Sequence, residues 1–272
     1  MNKHTLISLI FFAIISLNVN AQRYGVPNLR EYDYDSFHFG LLLGINQMDF
    51  RIKQDFASLN YYNNPAGKSY LSSETGGIID PTKNAYLYSV LPSSNTGFTI
   101  GIVSSLRLSN NFNLRFIPSI SFGSRSLKYS FVQTDNSNVP ITVEKSIPST
   151  FLEFPFILRY KGERIQNARP FVEAGFKYAY DLELKTNNTN TITPNTSTNL
   201  AIPDVHLNKS DIYGVLGVGF DFYFDWFKMG VEGTMNYGLI NDVLKRSATP
   251  PMYESGITSL KSKIFQISVT FE

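Results

Sequence analysis

The most constraining feature of this sequence is an alternation of apolar and polar residues that persists over long runs. Between residues 98 and 108 the even positions hold the apolar side chains Phe98, Ile100, Ile102, Leu106 and Leu108. After the polar triplet 109–111, a second alternating run begins at Phe112 and extends to Phe122. Period-2 alternation on both sides of a short polar turn predicts a long antiparallel hairpin.

Six further runs alternate in the same way, so the sequence predicts eight strands. They span residues 37–49, 98–108, 112–122, 149–160, 170–184, 210–224, 227–239 and 263–272. The connections after the second, fourth and sixth strands are short: 109–111, about 161–168, and 225–226. The other four are long: about 50–96, 125–148, 185–209 and 241–260. Across the turns at 109–111 and 225–226, antiparallel pairing keeps the apolar positions of both strands on one face, as a correct register requires.

Composition supports strands over helices and excludes several classes of function. Charged residues make up 17% of the chain, compared with about 25% in soluble domains. Aromatic residues, which favour strands, make up 14%. The net charge of +2 excludes a strongly basic nucleic-acid binder, and no nucleic-acid partner is expected. The absence of cysteine excludes a disulfide framework, a thiolate metal site, a cysteine nucleophile and a lipoprotein anchor.

The N-terminus has the pattern of a signal peptide. Lys3 precedes an apolar stretch at 5–17, and Val19-Asn20-Ala21 fits a cleavage site before Gln22. The apolar stretch is short for a membrane anchor, which needs about 20 residues and is the alternative interpretation. We therefore expect a signal peptide at 1–21 cleaved after Ala21, a periplasmic N-terminal segment at 22–36, and a barrel at 37–272.

The alternation and the loop lengths together predict an all-β fold, an eight-stranded antiparallel transmembrane β-barrel in the bacterial outer membrane. Such barrels have short periplasmic turns and long extracellular loops. Strands of 11–15 residues also exceed the length usual in soluble sheets. A soluble lipocalin-like barrel with an apolar interior is the rival interpretation. Aromatic residues cluster at the two expected rims, as at membrane interfaces: Phe112, Tyr160, Phe224, Trp226, Phe227 and Phe271 at the turn end, and Tyr129, Phe131, Tyr178, Tyr180 and Tyr237 at the loop end.

The polar positions of these strands carry charges of both signs, which the barrel interpretation directs inward. The interior of an eight-stranded barrel is just wide enough for side chains to fill, and buried charges must be paired. We therefore expect an ion-pair network that closes the lumen, and a selective channel is the alternative. A turn near 161–168 places Glu153 near Lys177 and Arg159 near Phe171. The inward structural charges are Arg107, Arg115, Glu153, Arg159, Glu173, Lys177, Asp221, Lys228 and Glu232, with Asp181 as a further carboxylate.

The same face of the strands also carries glycines that bear on this network. The inward glycines are Gly40, Gly44, Gly101, Gly175, Gly217, Gly219 and Gly230. Because glycine has no side chain, we expect these positions to leave room for the long stems of arginine and lysine.

Catalytic motifs are absent from the sequence. It contains no HExxH, GxSxG, GxGxxG or P-loop pattern and no metal-ligand spacing. His206, Ser210 and Asp211 could imitate the His, Ser and acidic groups that some small outer-membrane enzymes carry at the outer rim. We interpret them as ordinary loop-to-strand residues, and we expect no enzyme activity, no cofactor and no metal.

Several segments of the chain resemble the PorT (SprT) family of outer-membrane proteins. The run YDYDSFHFGLLLGINQMDF at 32–50 is similar to the first strand of that family, and the similarity continues through 114–129, 151–182 and 211–239. Phe-Gly-x-Arg at 122–125 is typical of it, whereas Leu-Glu-Phe-Pro at 152–155 is shared more widely among outer-membrane barrels. The chain departs from many such barrels at its last residue, because Glu272 follows Phe271 where an aromatic residue is usual.

The resemblance implies a part in the type IX secretion and gliding apparatus of Bacteroidetes. It implies contacts with outer-membrane lipid and with other type IX components, and it transfers no catalytic residue. We expect the 22–36 segment to lie free in the periplasm, where it could contact a partner. The alternative function is that of a general small outer-membrane barrel that binds a ligand or surface, or of an outer-membrane lipid enzyme.

Overall fold

The computed structural model describes residues 27–54, 85–133, 140–184, 207–239 and 257–272. These residues form nine strands after one short 3-10 turn at Tyr32–Tyr34. The strands are β1 Phe37–Gln54, β2 Ala85–Arg107, β3 Phe112–Phe116, β4 Ser119–Gln133, β5 Pro140–Lys161, β6 Ala168–Asp181, β7 Ser210–Tyr223, β8 Lys228–Gly238 and β9 Ile257–Phe271. No helix in the described part of the chain is long and apolar enough to cross a membrane. The predicted signal peptide lies outside the described residues.

The strands close into a ring in which every pairing is antiparallel. β1 pairs with β2 on one side and with β9 on the other, where Leu41 lies opposite Phe271. The remaining pairs follow the chain from β5 through β6, β7 and β8 to β9. The prediction of an all-β antiparallel barrel is therefore confirmed.

One predicted strand is divided in two, so the structure has nine strands rather than eight. The predicted strand 112–122 is interrupted at Ile117 and Pro118, between β3 and β4. Proline has no backbone N–H to donate to a ladder, which explains the break. The carbonyl of Pro118 still accepts a hydrogen bond from the N–H of Ile102, at 3.0 Å. Because β3 and β4 both pair with β2 and β5, they share one of eight positions around the ring.

The strands extend further at the loop end than the eight predicted ranges, as the strand character of Met48, Phe50 and Ile52 indicates for β1. We call the end with the connections 108–111, 162–167 and 224–227 the turn end, and the opposite end the loop end. The predicted connection 50–96 is strand as far as Gln54 and again from Ala85. The predicted connection 125–148 is also mostly strand, because β4 runs to Gln133 and β5 begins at Pro140. Part of what was predicted as loop is therefore a continuation of the barrel wall.

Apolar side chains change faces about halfway along the barrel. In the turn-end half of β1 the outward residues are apolar, and Leu41, Leu43 and Ile45 are 58%, 50% and 64% exposed. In the loop-end half of β1 the inward residues Met48 and Phe50 are buried and apolar. The outward residues there, Arg51 and Lys53, are charged and exposed. The wall is thus suited to lipid in its turn-end half and to water in its loop-end half.

The interior changes in the opposite sense. The turn-end half encloses charged and hydroxyl side chains together with a small apolar cluster of Leu42, Val103, Ile117, Ile157 and Val215, whereas the loop-end half encloses a larger apolar core. That core includes Met48, Phe50, Val90, Leu127, Tyr129, Ile147, Phe151, Ala179, Tyr213, Ile257, Leu260 and Ile264. An apolar interior, which the rival interpretation predicts for the whole barrel, therefore occurs mainly in the loop-end half.

The turn-end aromatic residues lie on the outer face as predicted. Phe112, Tyr160, Phe224, Phe227 and Phe271 are exposed, and Trp226 is 91% exposed. At the loop end, Tyr178, Tyr180 and Tyr237 are exposed as well. The prediction was wrong for Tyr129, which is fully buried in the loop-end core because odd-numbered residues of β4 point inward. The side chain of Phe131 lies outside the described part of the structure.

Candidate functional site

The lumen of the turn-end half is filled by a cluster of buried charges from different strands. Among the predicted inward charges, Arg107 alone is not buried. The buried ones are Arg115, Glu153, Arg159, Glu173, Lys177, Asp221, Lys228 and Glu232. Antiparallel pairing brings them to similar heights in the barrel, since Arg159 lies directly opposite Glu173. The side chains can therefore meet across the lumen.

Arg159 is the centre of this cluster and contacts three carboxylates. Its Nη2 lies 3.0 Å from Glu173 Oε2 and 2.5 Å from Glu232 Oε2. Its Nη1 lies 3.2 Å from Asp221 Oδ1. The guanidinium also stacks on Phe171, with Cζ 3.5 Å from the ring centroid. The predicted proximity of Arg159 and Phe171 is confirmed, although Glu173 rather than Phe171 is its partner in the ladder.

Arg115 extends the network to the C-terminal residue. Its Nη1 lies 3.1 Å from Glu232 Oε2, and its Nη2 lies 2.8 Å from Glu272 Oε1. The other oxygen of that carboxylate, Oε2, lies 2.8 Å from Lys228 Nζ. The Glu272 side chain is thus buried between two cations. The departure of Glu272 from the usual aromatic residue supplies a carboxylate to the lumen.

The network is dense and almost balanced in charge. It joins the cations Arg115, Arg159 and Lys228 to the anions Glu173, Asp221, Glu232 and Glu272. Burial of an unpaired ion costs several kcal/mol, so each of these groups depends on its partners. Paired side chains therefore fill this half of the lumen, and loss of any one of them would leave its partner buried without a counter-charge.

Two smaller clusters lie closer to the loop end. Lys177 Nζ is 2.7 Å from Glu153 Oε1, as the register predicted. Arg125 Nη2 is 3.2 Å from Asp181 Oδ2, and the guanidinium lies between the rings of Phe50 and Phe151, with Cζ 4.7 and 4.9 Å from their centroids. Arg125 thus connects the charged interior to the apolar loop-end core.

The inward glycines do not serve the purpose that the sequence suggested. A Cβ on Gly217 would lie 2.8 Å from Glu173 Oε1, and one on Gly230 would lie 2.9 Å from Asp221 Oδ1. These two glycines therefore make room for carboxylates rather than for the stems of arginine or lysine. The prediction was wrong because the acidic side chains lean across the neighbouring strand.

Arg107 differs from the other predicted charges because it lies at the rim. Its Nη1 donates to the carbonyl of Tyr34 at 2.7 Å, and its Nη2 donates to Asn110 Oδ1 at 2.5 Å. The guanidinium also lies 5.4 Å from the centroid of the Tyr34 ring. Arg107 therefore contacts the N-terminal segment instead of the ion-pair network.

The N-terminal segment covers the turn end of the barrel. The backbone N–H of Asn28 donates to Asn167 Oδ1 at 2.9 Å, and Arg164 donates to the carbonyls of Asn28 and Leu29. The expectation that this segment lies free was wrong for residues 27–36. Polar side chains of the short turns hydrogen-bond to the backbone of this segment. Strand alternation carries no information about such contacts, so the sequence pattern did not predict them.

Asp33 is the main ionic anchor of this segment. Its Oδ1 lies 3.1 Å from Lys161 Nζ, and its Oδ2 lies 3.1 Å from Arg169 Nη1. The Tyr223 hydroxyl donates to Oδ2 at 2.9 Å. Burial alone would raise the pKa of Asp33, but Lys161, the Tyr223 hydroxyl and Arg169 together lower it below its ordinary value.

Tyr32 places an aromatic ring beside this anchor. The ring stacks on His38 with centroids 4.0 Å apart, and Lys228 Nζ lies 4.9 Å from its centroid. The Tyr32 hydroxyl donates to Glu272 Oε2 at 3.3 Å. The N-terminal segment is therefore linked directly to the buried charge network.

The possible His-Ser-acid cluster is only partly within the described residues. Asp211 is buried, and its Oδ1 accepts a hydrogen bond from the N–H of Ile212. Ser210 begins β7. His206 lies outside the described residues, so the structure does not test whether the three side chains meet. In the described part of the chain, no group of three or more His, Asp or Glu is arranged to hold a metal ion.

Comparison with known proteins identifies the family. The family model described as outer membrane protein beta-barrel domain matches residues 20–242. No curated protein shows a significant sequence match to the chain.

Solved structures similar to this fold include three outer-membrane proteins. They are OprG from Pseudomonas aeruginosa (11% identity, 87% of this chain and 95% of that one, TM-score 0.36), the N-terminal β-barrel domain of OprF from the same organism (12%, 85% and 96%, 0.30), and neisserial surface protein A (10%, 87% and 98%, 0.36). Because the family match covers most of the sequence, the chain belongs to the outer membrane protein beta-barrel domain family and is located in the outer membrane.

Proposed function

We propose that this protein is a non-catalytic barrel that supports protein export by the type IX secretion system, and gliding where it occurs, through contacts with other secretion components. The observation that supports this proposal is the filled lumen. Arg115 and Arg159, with their carboxylate partners, occupy the turn-end half, and the apolar core occupies the loop-end half. Because the lumen of such a barrel is filled, the outer surface, the loops and the turns are the parts that can contact other proteins.

The size of the ring supports the same interpretation. Eight positions enclose a space that side chains alone can fill. An extended polypeptide would have to displace the paired charges around Arg159, and each separated charge would cost several kcal/mol. Cargo therefore passes through a different protein, and this barrel assists that protein. The assignment to type IX export itself rests on the PorT resemblance of the strand sequences.

Deletion of the gene tests the assignment. In the deletion strain, we expect type IX cargo to accumulate unprocessed in the periplasm, and expression of the full chain from a plasmid should restore its export. Affinity purification from membranes should recover other type IX components. Normal export in the deletion strain would refute the secretion role.

A separate measurement tests the closed lumen. The purified protein in planar lipid bilayers should show little conductance, because buried ion-paired side chains fill the turn-end half of the lumen. Large, stable conductance would refute the closed barrel while leaving the genetic result unaffected.

The second candidate is a general small outer-membrane barrel that binds a ligand or surface. The family match favours it as much as the secretion role, because the description of the family, outer membrane protein beta-barrel domain, names no role in export. Unimpaired export together with low conductance is the result that this candidate predicts.

A further inference from the structure

The outer face of β1 and β9 becomes cationic immediately beyond the lipid-facing residues. On β9 the outward residues Ile267 and Phe265 are exposed and apolar, and the next two outward residues are Lys263 and Lys261. Successive outward residues are about 6.6 Å apart along a strand. The first lysine is therefore within one side-chain length of the last lipid-facing ring, at the depth where lipid headgroups lie.

The neighbouring strand brings further cations to the same height. Arg51 is the direct ladder partner of Lys261, and Lys53 follows Arg51 on the outward face. Directly opposed residues have Cα atoms about 4.5–5.5 Å apart, so the cationic groups are close together. We call Arg51, Lys53, Lys261 and Lys263 the cationic patch.

Little negative charge balances this patch within the described residues. Asp49 is the only acidic residue on the outward faces of these two strand segments, and it lies opposite Lys263 in the ladder. No ion pair between described residues joins Arg51, Lys53 or Lys263 to a carboxylate. Lys261 donates to the carbonyl of Leu239 at 2.8 Å, and a carbonyl leaves its charge uncompensated. The patch therefore attracts anions.

A cation on β4, two strands from β1, provides a contrast. Lys128 on β4 also points outward in the loop-end half, but its Nζ lies 3.8 Å from Glu144 Oε2 on β5. That cation is balanced by a carboxylate of the same wall. Among these described outward cations, Lys128 thus has a carboxylate partner, whereas Arg51, Lys53 and Lys263 have none.

A hollow in the wall lies next to the patch. The ladder between β1 and β2 ends at Met48 and Asn95, although both strands continue toward the loop end. A hollow of about 430 Å³ occupies this region and is lined in part by Arg51, Lys263, Tyr237, Leu91 and Pro92, with Asp49 as its one acidic lining residue. It therefore combines cationic groups with an aromatic and an aliphatic surface, a combination suited to an amphiphile.

We propose that the cationic patch and the adjoining hollow bind the phosphorylated headgroup of an outer-leaflet lipid. Basic clusters at a membrane surface bind anionic headgroups, and lysine and arginine stems extend along apolar surface to reach them. A lipid whose chains lie against Phe265 and Ile267 presents its phosphate at the height of Lys263 and Arg51. A soluble anion has no acyl chains to contact Phe265 and Ile267, so the site selects a lipid.

Binding of a phosphorylated lipid to the full chain in dodecyl maltoside micelles tests the proposal. The chain contains no cysteine, so a single fluorophore at Ser94→Cys, an exposed position two residues from Pro92 of the hollow, reports binding. The probe is monophosphoryl lipid A, compared with the same lipid after removal of its phosphate. We expect about a tenfold preference for the phosphorylated form, and we expect the affinity to fall as salt is raised.

Substitutions assign the binding to the patch. Arg51→Gln and Lys263→Gln should each weaken binding of the phosphorylated lipid about fivefold, and the double variant about 20-fold. The control Arg30→Gln removes one exposed cation at the turn end of the barrel, away from the patch and the hollow, and should leave the affinity unchanged. The charge-preserving variant Arg51→Lys/Lys263→Arg should also retain it, which separates loss of charge from loss of fold.

Three results would overturn the proposal. One is equal affinity of the double variant and the unsubstituted protein. Another is equal binding of the dephosphorylated lipid. The third is displacement of the lipid by an equal concentration of inorganic phosphate, which would assign the patch to a soluble anion.

Discussion

Lys177 and Glu153 form an ion pair diagonally across two neighbouring strands, with Nζ 2.7 Å from Oε1. Glu153 lies opposite Ala179 in the ladder, and Lys177 lies opposite Pro155, so the two side chains are offset by two residues. Both are 3% exposed. Ser119 also donates to the Glu153 carboxylate, at 3.4 Å. Because this pair lies outside the network around Arg159, its substitution measures how a single buried ion pair stabilises the barrel.

Removing one member of this pair should cost more stability than removing both. Glu153→Leu leaves the Lys177 ammonium buried without its carboxylate, which typically costs about 3–5 kcal/mol. The double variant Glu153→Leu/Lys177→Leu replaces the pair with apolar groups and should be more stable than the single variant. The unfolding temperature, read from the shift in gel mobility on heating, measures both. A double variant that unfolds below the single one would contradict the pairing.

The exposed pair Lys128 and Glu144 is a matched control for that experiment. Its side chains are 43% and 47% exposed, and the charges are 3.8 Å apart. Exposed ion pairs contribute about 0–1 kcal/mol. Glu144→Leu should therefore change the unfolding temperature much less than Glu153→Leu.

Asp33 should hold the N-terminal segment on the turn end of the barrel. Asp33→Asn removes the charge that pairs with Lys161 and Arg169, so the segment should become mobile. A spin label at Glu31→Cys, an exposed position, reports this mobility by electron paramagnetic resonance. The label should be immobilised in the otherwise unchanged protein and mobile in the Asp33→Asn variant. Equal mobility in the two proteins would show that the ion pairs are not the anchor.

The same label should reveal a pH dependence of the anchor. Because the folded-state pKa of Asp33 is lowered, its stabilising contribution is complete above the unfolded-state pKa of about 3.9. That contribution is lost as the pH falls through the lowered folded-state pKa. The label should therefore stay immobilised from pH 7 down to about pH 4 and become mobile only in stronger acid. Release between pH 7 and pH 5 would contradict this assignment.

Two glycines should respond differently to the same substitution. A Cβ on Gly175 would lie 2.1 Å from the carbonyl oxygen of Phe156, whereas one on Gly233 would have no neighbour within 4 Å. Gly175→Ala must push two backbones apart, and such overpacking costs about 1–3 kcal/mol. Gly233→Ala should leave the unfolding temperature nearly unchanged. Equal effects would mean that the backbones approach less closely at Gly175.

Protease treatment of intact cells should establish the orientation of the barrel. The 185–209 connection, predicted to lie outside the cell, should be cleaved, and the turn at Asp225 and Trp226 should be spared. In permeabilised cells the turn should become accessible, since Trp226 is 91% exposed. Cleavage of the turn but not of the long connection in intact cells would reverse the orientation.

The faces of the strands could be predicted from the sequence because period-2 alternation is a local property. The diagonal contact of Glu153 and Lys177 followed from one turn and the parity of two strands. The contacts of Arg159 with Asp221 and Glu232 could not be predicted in this way. They join strands that are not neighbours, and their relative heights depend on the stagger accumulated around the ring.

Other features were missed because their signals lie outside the alternation. The break at Pro118 has a physical cause in the missing N–H, but the apolar pattern continues across it. The aromatic character of Tyr129 suggested the outer rim, whereas its odd position in β4 directs its side chain inward. The apolar core of the loop-end half could not be predicted from alternation alone, because the same period continues along strands whose surroundings change from lipid to water.

The change from apolar to cationic residues on the outer face of β1 and β9 sets the depth of the barrel in the membrane. Displacement toward the periplasm by one outward position would carry Lys263 into the hydrocarbon, where a lysine costs up to about 2–4 kcal/mol at the midplane. Displacement the other way would bring Phe265 and Ile45, which are 40% and 64% exposed, out of lipid into water. The barrel therefore has a single preferred depth, and any partner that binds its rims meets them at a constant height above and below the bilayer.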